Sequence, residues 1–570
     1  MLNEEIKAAV RKYAVKNALD YGKADEKAVM NKVISKLGVP RGEIGELAAL
    51  SKEIVERVNN ADRSALEREF EDYRKDFEEE GVEKAKRSAQ AHMELGGAVT
   101  GNFATRFSPE PGGYMHIGHA KISLMESEFA KMYDGKLFLY FDDTNPEKER
   151  QEFVDAIKRD AEWLGLEFSG EYYASDNIEK LYAYAESMIN GGNAYVDLCS
   201  LEAMKRGRAN GAGCMHKSQD AARNMELWKD MLGGRINEDG GVLRLNFKMD
   251  CANTALRDPT LFRIKEHAHY RQGDRYRVWP TYDFNTPIID SIKGITDAIR
   301  SKEYELRDES YYMMLDLLGL RKPRVHSIAR LEIKNNITSK RKLTSLIEDG
   351  LVSGYDDPRL VTIAGLRRRG ITKEAIRKFV LRFGTSLAES EVGMDMLLSE
   401  NRKIIDKDAV HLFMVEDPVL VKINGAGRRK VRIGLSPYGN IGYREYDVGN
   451  EIYIARADSE GLHAGDVVRL KDLDIVRITA AGSTGIECTI SEETPAKTLH
   501  WVDAGNNVEC RIWHISDLLL NGEFNKGSIR ETRGHAEPYV RQMRLNQITQ
   551  FERVGFFKLD DLKDFLFIAV

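Results

Sequence analysis

The sequence predicts a multidomain α/β protein with a helical N-terminal part and a β-rich C-terminal part, and three observations carry this. Its 570 residues are too many for one hydrophobic core. From about Gly96, short continuous apolar runs such as 136–141 replace helical periodicity, as in strands covered on both faces by helices. From about Leu412 the texture becomes alternating Val, Ile and Arg with Asn-Gly turns at 424–425 and 521–522.

Taken in order, residues 1–95 read as an appended helical domain, because apolar residues recur at Ile6, Ala9, Val10 and Tyr13 and breaks fall near Gly22, Gly38 and Gly42. Its charged stretch from Glu67 to Lys86 reads as a solvated helix face. Residues 96–197 begin a doubly wound unit. After Met115, the positions Gly118, Ile122, Met125, Phe129 and Met132 keep helical spacing, so a helix is expected to start near His116 between two strands. Residues 198–276 are polar and Gly-rich and read as an inserted domain, since α/β texture returns over 277–335. Residues 336–411 are helical and basic, and 412–570 predict small barrels or sandwiches.

Composition narrows the function. Hydrophobic residues at 42% and charged residues at 31% describe a solvated globular protein, and no apolar run reaches membrane-spanning length. The acidic start Met-Leu-Asn-Glu-Glu has no signal-peptide character, so a cytoplasmic location is expected, with no membrane partner. Five scattered cysteines without a CxxC pair predict reduced thiols. Cys199, Cys214 and His216 are the one group that a zinc ion could gather, but their spacing is not paired, and no tightly bound protein metal is expected. A net charge of −6 argues against unselective nucleic-acid binding and leaves room for local basic patches.

The most informative string is Arg106-Phe-Ser-Pro-Glu-Pro-Gly-Gly-Tyr-Met-His-Ile-Gly-His119, placed where the first strand gives way to the first helix. Its prolines stiffen the loop, Gly112 and Gly113 admit a close ligand, and the helix N-terminus offers partial positive charge to phosphate. His116 and His119 add donors where charge would build on a transferring phosphorus. Two further strings stand out: Ile337-Thr-Ser-Lys-Arg-Lys-Leu343, a basic loop, and Phe141-Asp-Asp-Thr-Asn-Pro146, at the end of the second strand.

These strings resemble the class I aminoacyl-tRNA synthetases, whose HIGH signature is matched letter for letter at 116–119 and whose KMSKS loop is matched, in variant form, at 337–343. The longer context resembles the branch joining glutaminyl enzymes with archaeal and eukaryotic-type glutamyl enzymes. The resemblance implies a Rossmann-type catalytic domain with an inserted acceptor-stem-binding domain and C-terminal anticodon-binding barrels. It also implies ATP as a substrate with Mg2+, catalytic roles for His116, His119 and Lys340, and Asp142 as partner of the substrate α-ammonium group. ATP contacts are implied for Glu110, Pro111, Gly112, Gly118, Ser301, Arg330, Leu331 and Ser339. Gly112 stands where the family usually has Asn, so no side-chain contact is expected there.

The amino-acid pocket is expected to include Arg106 and Tyr282, positions that both enzyme types use, while identity is expected to be read by Arg300. The last, in Gly294-Ile-Thr-Asp-Ala-Ile-Arg300, resembles the arginine that glutamyl enzymes place against the γ-carboxylate, where glutaminyl enzymes have a smaller uncharged residue. A guanidinium fork pairs with a carboxylate but not with an amide. The competing reading gives Arg300 a structural ion pair with Asp297 or Glu303. The resemblance thus implies ligation of L-glutamate to tRNA(Glu), with tRNA(Gln) left open as a second acceptor. Phosphate contacts are expected from Arg367, Arg368 and Arg369, and anticodon contacts from Lys422, Arg428, Arg429, Lys430, Arg432, Arg541 and Arg544. The rival readings are a glutaminyl enzyme, a non-catalytic tRNA-binding paralogue and a small-molecule nucleotidylyltransferase.

Overall fold

The computed structural model describes residues 4–37, 39, 43–63, 65–67, 69–71, 73, 94–387, 390–439, 441–482 and 485–570. Most of the charged stretch from Glu67 to Lys86 lies outside the described residues. The chain divides into two compact units, 1–94 and 95–570.

In the first unit, helices α1 (Glu4–Tyr21), α2 (Glu26–Leu37) and α3 (Ile44–Asn59) pack Val10, Val15, Val33, Leu47 and Val58 into a small core. The repeat read from Ile6, Val10 and Tyr13 is the buried face of α1.

The second unit opens with β1 (Ala104–Phe107), α4 (Ile117–Met132), β2 (Lys136–Phe141), α5 (Gln151–Trp163) and β3 (Gly170–Tyr173), the three strands lying parallel in the order β1-β2-β3. Helix α6 (Ile178–Asn190) leads to an antiparallel sheet of β4 (Ala194–Asp197), β5 (Val242–Leu245), β6 (Thr260–Ile264) and β7 (Val278–Pro280), with α7 (Leu201–Asn210) and α8 (Ala221–Leu232) between β4 and β5. This sheet takes in β4 and β7, which lie just outside the expected 198–276.

Helix α9 (Tyr282–Ile292) returns the chain to parallel β8 (Asp297–Ser301), α10 (Asp308–Leu317) and β9 (Arg324–Ile328). Thr296 N–H donates to Ala104 O at 2.9 Å, setting β8 beside β1. The parallel strands therefore run β3-β2-β1-β8-β9, and the order reverses between β1 and β8, where doubly wound sheets bind ligands. Strand β2 shows why its run is continuous: Leu139 and Phe141 enter the core under α4 and α5, while Tyr140 enters the one shared with α9 and the inserted sheet.

After β10 (Leu331–Ile333) come α11 (Lys340–Glu348), α12 (Ile363–Arg369), α13 (Lys373–Leu381) and α14 (Met394–Ile405). The rest is β-rich, as expected. Two seven-stranded barrel-like sheets enclose separate cores, one around Val421, Ile454 and Trp501 and one around Leu412, Ile512 and Phe567. Trp501 is fully buried and donates its indole N–H to Lys471 O at 2.8 Å. Among the described residues, no helix is long and apolar enough to cross a membrane.

Candidate active site

A cavity of about 510 Å³ opens at the carboxyl ends of β1, β2 and β8, over the N-terminus of α4. Its floor is the segment from Arg106 to His119, which is pinned from both sides. Ile117 N–H donates to Val361 O at 3.0 Å, and Ile363 N–H donates to Met115 O at 2.9 Å.

His116 caps α4. Its Nδ1 accepts from Gly118 N–H at 3.1 Å, and Nδ1 of His119 accepts from His116 N–H at 3.3 Å. With both Nδ1 atoms acting as acceptors, each neutral ring carries its proton on Nε2, the nitrogen left to meet a ligand. The rings stack with centroids 3.9 Å apart. Burial, helped by Lys340 and Arg330, lowers His116 to about 4, and burial beside His116 lowers His119 as well. Both are therefore neutral donors at neutral pH. A Cβ at Gly118 would stand 2.9 Å from the His116 ring, so this helix start requires glycine.

Opposite the histidines, Lys340 begins α11 and its Nζ donates to Glu110 Oε2 at 3.0 Å. A Cβ on Gly112 would meet Nζ, the far end of a flexible side chain, at 2.9 Å, so a side chain there would require the lysine only to shift. Ser301, Arg330 and Leu331 line the same wall. Arg330 pairs with Glu303 at 3.2 Å and Glu332 at 3.4 Å. Pro111 holds the loop by accepting from Arg150 N–H at 3.2 Å, and Ser339 is the cap position of α11 without a side-chain cap bond.

The Asp142-Asp143 pair divides its labour. Asp143 is fully buried and accepts from Ser175 N–H at 2.8 Å, Ser175 Oγ at 2.7 Å and Tyr270 Oη at 3.1 Å, the structural role open to any strand-end aspartate. Asp142 faces the cavity and accepts from Asn285 Nδ2 at 2.9 Å. Burial raises its carboxyl to about 6 despite that bond.

Arg106 is almost wholly committed to structure. Its Nε and Nη2 donate to Asp290 at 2.7 and 3.1 Å, and Nη1 donates to Ile299 O at 3.0 Å, tying β1 to α9 and β8. Arg300 is buried at the end of β8 and donates from Nη1 to Tyr282 Oη at 3.4 Å, while Nη2 pairs with Asp308. Its ion pair is thus neither of the two anticipated. Asp297 is occupied by Arg324 and His326, and Glu303 by Arg330. Arg300 Nε has no partner.

Several residues of this wall escaped sequence reading. Arg263, which falls within the 198–276 insertion, lines the cavity and donates to Pro280 O and Thr144 O, both at 3.0 Å. Glu126, on the buried side of α4, lines it too and leaves both carboxylate oxygens unpartnered. Asp290 and Asn285 act through Arg106 and Asp142, 184 and 143 residues away, and Asp308 through Arg300, 8 residues away; no local pattern marks them.

The expected tRNA contacts are not part of this cavity. Arg369 is buried, 7% exposed, and so is not available to a phosphate, which corrects the expectation for it. Arg367 lies 3.6 Å from Asp160, Arg368 pairs with Asp560 at 2.9 Å, and Arg429 pairs with Asp474. Arg428 and Lys430 are well exposed, as are Arg541 and Arg544. Away from the cavity, Asp197, Cys199, Cys214 and His216 bring their ligand atoms within 4.8 Å of one another, although their spacing had argued against a metal.

Comparison with known proteins gives three consecutive family matches. Residues 102–407 match the catalytic domain of class I tRNA synthetases (E and Q). Residues 409–491 and 498–560 match two anticodon-binding domains of the same group. A glutamate–tRNA ligase of Nitrosopumilus maritimus is 37% identical over 99% of this chain and 100% of its own length. One from Pyrococcus furiosus is 34% identical over 99% of each. A solved glutamate tRNA ligase of Elizabethkingia meningosepticum, in complex with its amino acid, is 16% identical with a TM-score of 0.41, covering 54% of this chain and 70% of that one, too loosely to equate residues.

Proposed function

The chain belongs to the class I tRNA synthetases of the glutamyl and glutaminyl group, and we propose that it is a glutamate–tRNA ligase using the cavity above α4. One observation carries the assignment of the amino acid. A buried arginine, Arg300, and a raised carboxylate, Asp142, stand in one cavity with two neutral histidines and Lys340 at the start of α11. Arg300, with Tyr282, offers donors to a γ-carboxylate, and Asp142 offers its charge to the α-ammonium group.

ATP enters as its Mg2+ complex along His116, His119, Ser301, Arg330 and Lys340. The glutamate α-carboxylate attacks the α-phosphorus, a phosphorus–oxygen bond to pyrophosphate breaks, and glutamyl-adenylate forms. Nε2–H of the histidines and the first turn of α4 stabilise charge on the phosphoryl oxygens, and Lys340 leaves Glu110 to follow the departing phosphates. The terminal ribose hydroxyl of tRNA(Glu) then displaces AMP. No side chain serves as nucleophile, so positioning and charge carry the rate. Transfer to tRNA(Gln), left open by the sequence, gains no support from the relatives.

Transfer of labelled glutamate to tRNA by the full chain tests the reading. Charging that needs ATP and tRNA supports it. Binding of tRNA without charging favours a non-catalytic paralogue instead.

A further inference from the structure

Asp142 is held from behind by a residue that does not itself line the cavity. Asn285 lies near the start of α9, three residues after Tyr282 and so on the same helix face, and it is fully buried. Its Nδ2 donates to Asp142 Oδ1 at 2.9 Å and lies 3.5 Å from Thr144 Oγ1. Its Oδ1 accepts from Tyr140 Oη at 2.9 Å and from Thr286 Oγ1 at 3.1 Å. Both ends of the amide are thus partnered, and the two hydroxyls fix which way it faces. Turned over, it would set its oxygen against the Asp142 carboxylate. Tyr140 is a lasting donor, because burial raises its phenol well above the ordinary value and keeps it protonated.

The surroundings explain why an amide stands here. The other titratable groups facing Asp142 are the carboxyls of Glu110 and Glu149, the guanidinium groups of Arg106 and Arg263, and the phenols of Tyr140 and Tyr304. Both arginines are committed elsewhere. Arg106 donates to Asp290 and Ile299 O, and Arg263 to Pro280 O and Thr144 O. A cation donating directly to Asp142 would cancel the charge that an ammonium ligand requires. A neutral amide holds one carboxylate oxygen, leaves the charge in place and leaves the other oxygen to the ligand. Burial is the main influence raising this carboxyl, and the Asn285 bond is the main one holding it down.

We propose that Asn285 is a positioning residue for amino-acid recognition: locked by Tyr140 and Thr286, it aims the carboxylate of Asp142 at the α-ammonium group of the substrate. The assignment rests on the reading of the cavity as a glutamate site.

The test is the pH profile of kcat/KM for glutamate in the charging of tRNA by the full chain, for the natural protein, Asn285→Ala and Tyr140→Phe. The acid limb, at about 6 in the natural protein, should move up by about one to two pH units in Asn285→Ala. Its KM for glutamate is then raised most near neutrality, the difference narrows in alkali, and KM for ATP is unchanged. Tyr140→Phe is nearly isosteric; it frees the amide to turn and should move the limb the same way by less. An unmoved limb in Asn285→Ala, or in Tyr140→Phe where the alanine variant does not fold, would overturn the assignment, as would a KM raised by one factor at every pH. A natural protein that charges no glutamate would overturn the underlying reading and the assignment with it, whereas glutamate charging with unmoved limbs removes the assignment alone.

Discussion

Lys340 Nζ and Glu110 Oε2, separated by 230 residues of sequence, lie 3.0 Å apart across the mouth of the cavity. The pair is half exposed, so it adds little to stability and is readily exchanged for a stronger anion. Triphosphate is such an anion. Lys340→Ala should therefore lower the rate of ATP–pyrophosphate exchange about 100- to 1000-fold with little change in KM for glutamate. Equal losses in both would assign the lysine to ground-state binding instead.

Asp142 carries the pH dependence of substrate binding. Its carboxyl, raised to about 6, takes up a proton as pH falls through that value and loses the charge an ammonium group requires. KM for glutamate should rise below about pH 6 in the natural protein and stay flat, at a higher value, in Asp142→Asn. Stability moves the other way. A carboxyl raised in the fold keeps a proton that the unfolded chain has released, so its contribution is lost as pH rises from the ordinary aspartate range through about 6. Asp142→Asn should thus raise the melting temperature more at neutral than at acid pH.

The Arg106–Asp290 pair is buried on both sides, with side chains 3% and 0% exposed. Removing one partner strands a charge in the core. Asp290→Ala should cost about 3–5 kcal/mol in denaturant unfolding, while an apolar double replacement at both positions should recover much of it. A loss under about 1 kcal/mol would contradict the role given to this pair in joining β1 to α9.

Exposed and buried arginines should separate in tRNA binding. Arg428→Ala and Arg544→Ala should weaken binding and each lower the salt slope by about 1, as expected for a lost phosphate contact. Arg369→Met should leave that slope unchanged, because its side chain does not reach the surface.

What could be read from the sequence was local. The start of α4 at His116, the glycine at 118 and the aspartate at the end of β2 are each set by neighbours a few residues away, so spacing revealed them. Partners brought by the fold were not visible. Asp290 meets Arg106 from 184 residues away, and Asp197 completes the Cys199, Cys214 and His216 group only because β4 ends beside the turn after α7. The run Arg367–Arg369 misled for a geometric reason. Residues three apart share a helix face, and Arg369 follows the buried Leu366 by three, which puts it on the inward side. Arg369 is the one turned inward.

The central claim is that the buried guanidinium of Arg300 selects glutamate. ATP-dependent charging of tRNA with glutamate and with glutamine, measured side by side for the natural protein and for Arg300→Cys, tests it most directly. The account predicts glutamate charging alone in the natural protein, with kcat/KM for glutamate falling about 10- to 100-fold in the variant. Glutamine charging by the natural protein, or undiminished glutamate charging by the variant, would contradict it.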